Sequence, residues 1–232
     1  MSTTDTRQDA STLETPNYLN SSITTAGLSA KERNKNVKHI LIGATGSVAS
    51  IKIPLLAHLV TELATKNKNW EVEVKIVTTN SALHFISLNA LPKGVTLYTD
   101  KDEWKAWKKI GDPVLHIQLR EWADIVVIAP LDANTMAKIA NGYCDNLLTC
   151  ILRAWDSGRP RVICPAMNTH MWNHPHTSIQ IATLKDQLGF VVVDPISKTL
   201  ACGDTGIGAM AEPELIAKTI LSLLCENGTR ES

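Results

Sequence analysis

Short runs of β-branched residues punctuate this chain. They stand at Val37-Lys38-His39-Ile40-Leu41-Ile42, Val72-Glu73-Val74-Lys75-Ile76-Val77, Asp124-Ile125-Val126-Val127-Ile128-Ala129, Arg161-Val162-Ile163-Cys164 and Phe190-Val191-Val192-Val193, with a weaker run at Val95-Thr96-Leu97-Tyr98. Runs of this length and character read as strands of a sheet. Between them the apolar residues fall at helical spacing, predicting helices over 48–65, 81–88, around Trp104 and Trp107, and over 133–140, 145–156, 176–188 and 212–226. Pro54 fits the first helix only close to its first turn, and Pro130 is expected to stop the strand that precedes it. Strands alternating with helices are joined by crossovers, so the predicted fold class is α/β: a parallel sheet with helices on both faces.

The pattern is absent before residue 37, where Thr, Ser, Asn and charged residues dominate. Residues 1–36 are expected to be a disordered tail, 37–226 one domain, and 227–232 a flexible end. With 44% apolar and 20% charged residues the composition is that of an ordinary globular domain. Lys plus Arg equals Asp plus Glu at 23 each, so no net field points to nucleic acid or an anionic membrane. No run approaches the roughly 20 apolar residues of a membrane span. Polar residues stand where a signal peptide has its apolar region, and a cytoplasmic location is expected. Five widely spaced cysteines without a C-x-x-C pair suggest neither a disulfide scaffold nor a zinc site, and the expectation for metals is none.

In sheets of this class ligands bind beyond the carboxyl ends of the strands, where the strand order reverses. Four loops come into question. Gly43-Ala44-Thr45-Gly46-Ser47 ends a strand and opens a helix, a place where free backbone N–H groups suit a phosphate and the Thr45 and Ser47 hydroxyls add donors. It has neither the Walker A nor the G-x-G-x-x-G pattern, and a plain tight turn is the alternative. Thr78-Thr79-Asn80-Ser81 and Asp132-Ala133-Asn134-Thr135 also follow strands. N-capping explains either alone, while three polar strand ends on one sheet edge suit a planar polar cofactor. Pro165-Ala166-Met167-Asn168 is the fourth, with an Asn whose amide N–H groups suit a carboxylate.

The tract Ala201-Cys202-Gly203-Asp204-Thr205-Gly206-Ile207-Gly208-Ala209-Met210-Ala211 has no periodic apolar face and reads as a glycine-rich loop rather than a core strand or helix. Cys202 is either a thiol placed for chemistry or a small hydrophobe under that loop.

Taken together, His116-Ile117-x-Leu119-Arg120-x-Trp122-Ala123-Asp124, Ala129-Pro130-Leu131-x-Ala133-Asn134-Thr135, Cys144-Asp145-Asn146-Leu147-Leu148-Thr149, Pro165-Ala166-Met167-Asn168-Thr169-x-Met171-Trp172 and Ala201-Cys202-Gly203-Asp204 resemble the eukaryotic phosphopantothenoylcysteine decarboxylases, which are flavin-dependent cysteine decarboxylases. The resemblance spans about 37–226. It implies a flavodoxin-like homotrimer with FMN near a subunit interface, acting on 4′-phosphopantothenoylcysteine in coenzyme A synthesis. By matching motif, His116 and Cys202 would be catalytic. Asn168, Arg120, Ala201, Gly203 and Met171 would meet the substrate. Gly46, Ser47, Val48, Ser81, Phe85, Asp132, Ala133, Asn134, Thr135, Ala166 and Met167 would border FMN.

The implied chemistry needs an electron sink, because direct loss of carbon dioxide from a cysteine carboxylate leaves an unstabilised carbanion. Flavin oxidation to a thioaldehyde provides it, decarboxylation then gives an enethiolate, and reduction returns a thiol once Cys202 delivers a proton. Two positions depart from the family pattern: Asp132 stands where many relatives have Ser or Thr, and Glu121 where they often have a second Arg. An acid is uncomfortable beside phosphate, so the Asp132 side chain is expected to cap a helix instead. Related chains also serve as phosphatase-regulatory or mixed-trimer subunits. The coexistence of His116, Asn168 and Cys202 favours a self-sufficient enzyme, and the setting of Cys202 argues against a flavin prenyltransferase or a peptide cysteine decarboxylase.

Overall fold

The computed structural model describes residues 37–68, 70–199 and 205–228. The expected tail 1–36, residues 229–232 of the expected flexible end 227–232, and Ala201, Cys202 and Gly203 lie outside the described residues, while Asn227 and Gly228 belong to the last helix, Pro213–Gly228. Six parallel strands form one sheet: β1 (Val37–Ala44), β2 (Glu71–Thr78), β3 (Thr96–Tyr98), β4 (Ile125–Leu131), β5 (Arg161–Pro165) and β6 (Val191–Val192), in the order β3-β2-β1-β4-β5-β6. Without the three-residue edge strand β3, the order is the flavodoxin-like 2-1-3-4-5. The order reverses between β1 and β4, whose carboxyl ends open a crevice between them.

Alternation along the strands divides the core in two. Ile40, Ile42, Val74, Ile76, Ile125, Val127 and Ala129 face α1 (Ile53–Lys68) and α9 (Pro213–Gly228). Leu41, Val77, Val126, Ile128, Leu131 and Ile163 belong to the opposite layer, with α4 (Leu115–Trp122), α5 (Ala133–Asn141) and α6 (Leu147–Arg153). Burial of each such side chain contributes about 1.5–3 kcal/mol.

Helix α1 shows how its sequence selects its face: Ile53, Leu56, Ala57, Val60 and Ala64, at helical spacing, are completely buried. They pack in one cluster with Ile216, Ala217, Ile220 and Leu224 of α9. Pro54 is the second residue of α1, where no intrahelical partner is lost, and the turn before it, Val48–Lys52, is 3₁₀. The stretch Val48–Lys66 is long and apolar enough to span a membrane, contrary to expectation, but Ile53, Leu56, Ala57 and Val60 of it are committed to this core contact, while Val48, Ile51 and Leu55 are exposed.

Smaller elements complete the chain. These are α2 (Asn80–Leu83), α3 (Asp100–Ala106), α7 (Thr169–Trp172), α8 (Pro175–Ala182), and an antiparallel ribbon of β7 (Ile196–Thr199) with β8 (Thr205–Ala209). The expected helix 176–188 divides into α8 and a π-helical turn, Thr183–Gln187, and the expected helix 81–88 shrinks to the single turn of α2.

Three features depart from the hydrophobic pattern in kind. Pro130 does not stop β4, because a register shift against β5 between Ile128 and Leu131 accommodates the missing N–H. Helix α4 buries Leu115, Leu119 and Trp122 at i, i+4 and i+7, a face that the sequence reading passed over. The small-residue tract is a strand in its second half, β8. Its glycines permit close docking: Met167 N–H donates to the Gly208 carbonyl at 2.9 Å, and a Cβ on Gly208 would stand 2.3 Å from the Met167 oxygen.

Candidate functional site

The site begins at a buried latch. Thr45 is completely buried; its hydroxyl donates to the Pro130 carbonyl at 2.8 Å and accepts the Asp132 N–H at 2.7 Å. This ties the loop after β1 to the loop after β4. Asp132 is the N-cap of α5, with one carboxylate oxygen accepting from Thr135 N–H at 2.7 Å and the other from Gly46 N–H at 2.9 Å. Ser47 N–H returns to the Thr45 carbonyl at 2.7 Å, and the Ser47 hydroxyl oxygen accepts from Ala49 N–H at 3.3 Å. Thr45 is thus a latch and not a phosphate donor, and Asp132 caps the helix as the sequence suggested. Gly46 is required by packing, since a Cβ there would stand 2.6 Å from the Ser81 hydroxyl oxygen.

Above this latch lies a cleft of about 410 Å³. Gly46, Ser47, Val48, Asp132 and Ala133 come from the switch point, and Ala166, Met167, Asn168 and Met171 from the end of β5 and α7. Asn168 caps α7, its side-chain oxygen accepting from His170 N–H at 2.8 Å, so the amide nitrogen is the end whose polarity suits a carboxylate.

Nine predicted site residues therefore line one cleft. Ser81 stands beside it through Gly46, while Phe85, Asn134 and Thr135 are outside the lining; the Thr135 backbone is held by the Asp132 cap. His116 and Arg120 are also elsewhere in this chain. His116 Nδ1 is hydrogen-bonded to the Glu103 carboxylate, and Arg120 Nε donates to the Ala154 carbonyl at 3.0 Å.

The lining also holds residues that sequence reasoning missed: Ala49, Ile51, Lys52, Lys198, Thr199, Gly208, Ala209 and Met210. Lys52 ends the short 3₁₀ helix that Ser47 caps, a proximity available in the sequence, whereas Lys198 and Thr199 needed the β7–β8 ribbon. Cys202 lies in the chain between β7 and β8, both of which contribute to the lining. Elsewhere, burial, with the nearby Glu103 adding to it, pushes the Cys150 thiol up to about 11. Burial also raises the Cys164 thiol, which suits packing and not nucleophilic chemistry.

The donor set fits a flavin mononucleotide. Val48, Ile51, Ala133, Ala166, Met167 and Met210 give apolar walls for a ring system, with Ser47, Asn168 and two lysines for its polar edge and an anion. The profile of the Flavoprotein family matches residues 28–225. This chain belongs to the Flavoprotein family. This Flavoprotein-family chain is 58% identical over 181 residues to the phosphopantothenoylcysteine decarboxylase of Arabidopsis thaliana, covering 78% of this chain and 82% of that one. Its fold is similar to a cysteine-to-serine variant of PPC decarboxylase complexed with pantothenoylaminoethenethiol, with TM-score 0.74 and 56% identity over 79% of this chain and 96% of that one. It is similar also to the FMN binding protein AtHal3, with TM-score 0.71 and 56% identity over 79% of this chain and 95% of that one.

Proposed function

We propose that this chain is the FMN-dependent decarboxylase that converts 4′-phosphopantothenoylcysteine to 4′-phosphopantetheine and carbon dioxide, a step of coenzyme A synthesis. The observation that carries the reading is the convergence, in one cleft at the switch point, of the latched β1 and β4 loops with the Asn168 loop and the β7–β8 ribbon. When bound, FMN supplies the two-electron oxidation and reduction that let a cysteine carboxylate lose carbon dioxide. Ser47, Val48, Ala133, Ala166 and Met167 would hold it. The residues of the chain do the rest. Asn168 orients the carboxylate through its amide, the apolar walls keep water away, and Cys202, assigned by motif, returns a proton to carbon.

We further infer a homotrimer whose sites lie between subunits. In support, His116 is outside the cleft of its own chain, and Trp104, Trp107, Ile110 and Val114 expose apolar surface in the same α3–α4 region. A second copy covering that surface would bring His116 to a neighbour's cleft. A cytoplasmic location is the accompanying proposal, favoured by the exposed free thiol of Cys144.

The test is purification and turnover. The protein is expected to be yellow with bound FMN and to release carbon dioxide from 4′-phosphopantothenoylcysteine. Cys202→Ser is expected to release carbon dioxide without delivering the saturated thiol; normal product from that variant would remove Cys202 from its role.

A further inference from the structure

Glu212, the residue before α9, joins two lysines from distant parts of the chain. One carboxylate oxygen is 3.0 Å from Lys52 Nζ on the 3₁₀ turn, and the other is 3.5 Å from Lys198 Nζ on β7. The ion pairs hold the Glu212 carboxyl below its ordinary range, the Lys52 hydrogen bond first among the causes. Both lysines line the cleft, and they are the only cations in its lining among the described residues. Two ammonium groups therefore share a single carboxylate at the edge of a largely apolar cavity, while the carboxylate of the lining itself, Asp132, accepts from the Gly46 and Thr135 N–H groups.

Stability does not account for this arrangement. Glu212 and Lys198 are more than half exposed, so their ion pair contributes little to folding, and the pair with the less exposed Lys52 is open to water on the Glu212 side. An incoming anion does account for it. A phosphomonoester carries roughly −1.5 to −2 charges at neutral pH and three acceptor oxygens, against one charge for the carboxylate. It would displace Glu212 and take both ammonium groups, at no cost in buried unpaired charge. The turn at Gly43–Ser47 is a poor competitor for that role, because the Gly46 and Ser47 N–H groups are already donated to Asp132 and Thr45.

We propose that Lys52 and Lys198, held apart from ligand by Glu212, form the phosphomonoester subsite of the cleft, with Glu212 as a built-in competitor that the phosphate replaces. The proposal rests on the reading of the site as a flavin-dependent decarboxylase, in which two phosphomonoesters enter: the tail of FMN and the 4′-phosphate of the substrate.

The experiment compares each phosphorylated ligand with its dephosphorylated partner in the full-length protein. FMN and riboflavin affinities are read from flavin fluorescence, and kcat/KM is read for 4′-phosphopantothenoylcysteine and pantothenoylcysteine in the holoenzyme. Lys52→Met and Lys198→Met are expected to weaken one phosphorylated ligand by roughly 10- to 100-fold, the scale of one charge-assisted contact, while its partner changes little. Glu212→Gln is expected to act in the opposite direction and strengthen that same ligand. Loss confined to FMN assigns the subsite to the cofactor, and loss confined to the phosphorylated substrate assigns it to the substrate. Equal loss for both members of each pair, or no loss, overturns the subsite. Failure of wild-type turnover with both substrates overturns the decarboxylase reading instead, and the flavin arm still decides the subsite.

Discussion

The Thr45 hydroxyl and the Asp132 backbone N–H are 2.7 Å apart, and this one hydrogen bond joins the ends of the two strands between which the sheet order reverses. The same hydroxyl donates to the carbonyl of Pro130. The partners are backbone groups of the end of β4 and of the loop after it, so the position of that loop, and of the α5 N-terminus that follows, is set by a side chain of the β1 loop. Crevice geometry at the switch point depends on a residue that never faces the cleft.

Thr45→Val preserves shape and removes both bonds, leaving a buried carbonyl and N–H without their partner. The expected cost is about 1–3 kcal/mol in urea denaturation, with weaker FMN binding by fluorescence titration. A variant matching wild type in both measurements would mean that the latch does not position the site.

Gly208 has φ +149° and lies against the Met167 carbonyl, where a Cβ would meet backbone at 2.3 Å. Gly208→Ala is therefore expected to push the β7–β8 ribbon off the Met167–Asn168 loop. Limited proteolysis should then cut near the ribbon at a rate well above that of wild type, and turnover should fall further than global stability does. Unchanged cleavage and turnover would show that the ribbon tolerates a shift there.

His116 and Asn168 provide a test of assembly. If a neighbouring copy supplies His116, then His116→Asn and Asn168→Asp chains, each inactive alone, should recover part of the activity when refolded together. Mixing without recovery would place the complete site in one chain.

Lys75 gives a pH dependence. Its ammonium lies 4.0 Å from the Trp122 ring centroid and is partly buried; burial lowers its pKa from 10.5 to about 8, while Glu73 opposes that shift. Between about pH 8 and 10.5 the unfolded chain holds a proton that the folded chain has released, so stability rises with pH through that window. The rise is modest, because water reaches the group and the ring face offsets part of the burial cost. Urea midpoints at pH 7.5 and 10 should show a smaller alkaline gain in Lys75→Met than in wild type. Equal gains would assign the effect to other groups.

The alternation of short β-branched runs with helical spacing was sufficient to define the parallel three-layer fold, because strands buried on both faces and amphipathic helices leave distinct periodicities. The same local reading located four strand-end loops, and three of them, with Gly46, Asp132 and Asn168, meet in the cleft. It also anticipated the capping role of Asp132, which depends only on the next three residues of the chain. Three matters escaped it because their causes are distant in sequence. Pro130 is tolerated inside β4 by a register shift against β5, and α4 became visible only once its Leu115, Leu119 and Trp122 face had a layer to pack on. The ribbon exists because Gly208 can dock on Met167. Lys52, Lys198 and Glu212 illustrate the same division: each is an ordinary surface residue in the sequence, separated from its partners by at least 14 positions, 212 less 198. Sequence period and local capping determine elements and where loops fall, since both act over a few residues. Which side chains share a cavity, and which charges share a counter-ion, is decided only when the chain folds back on itself.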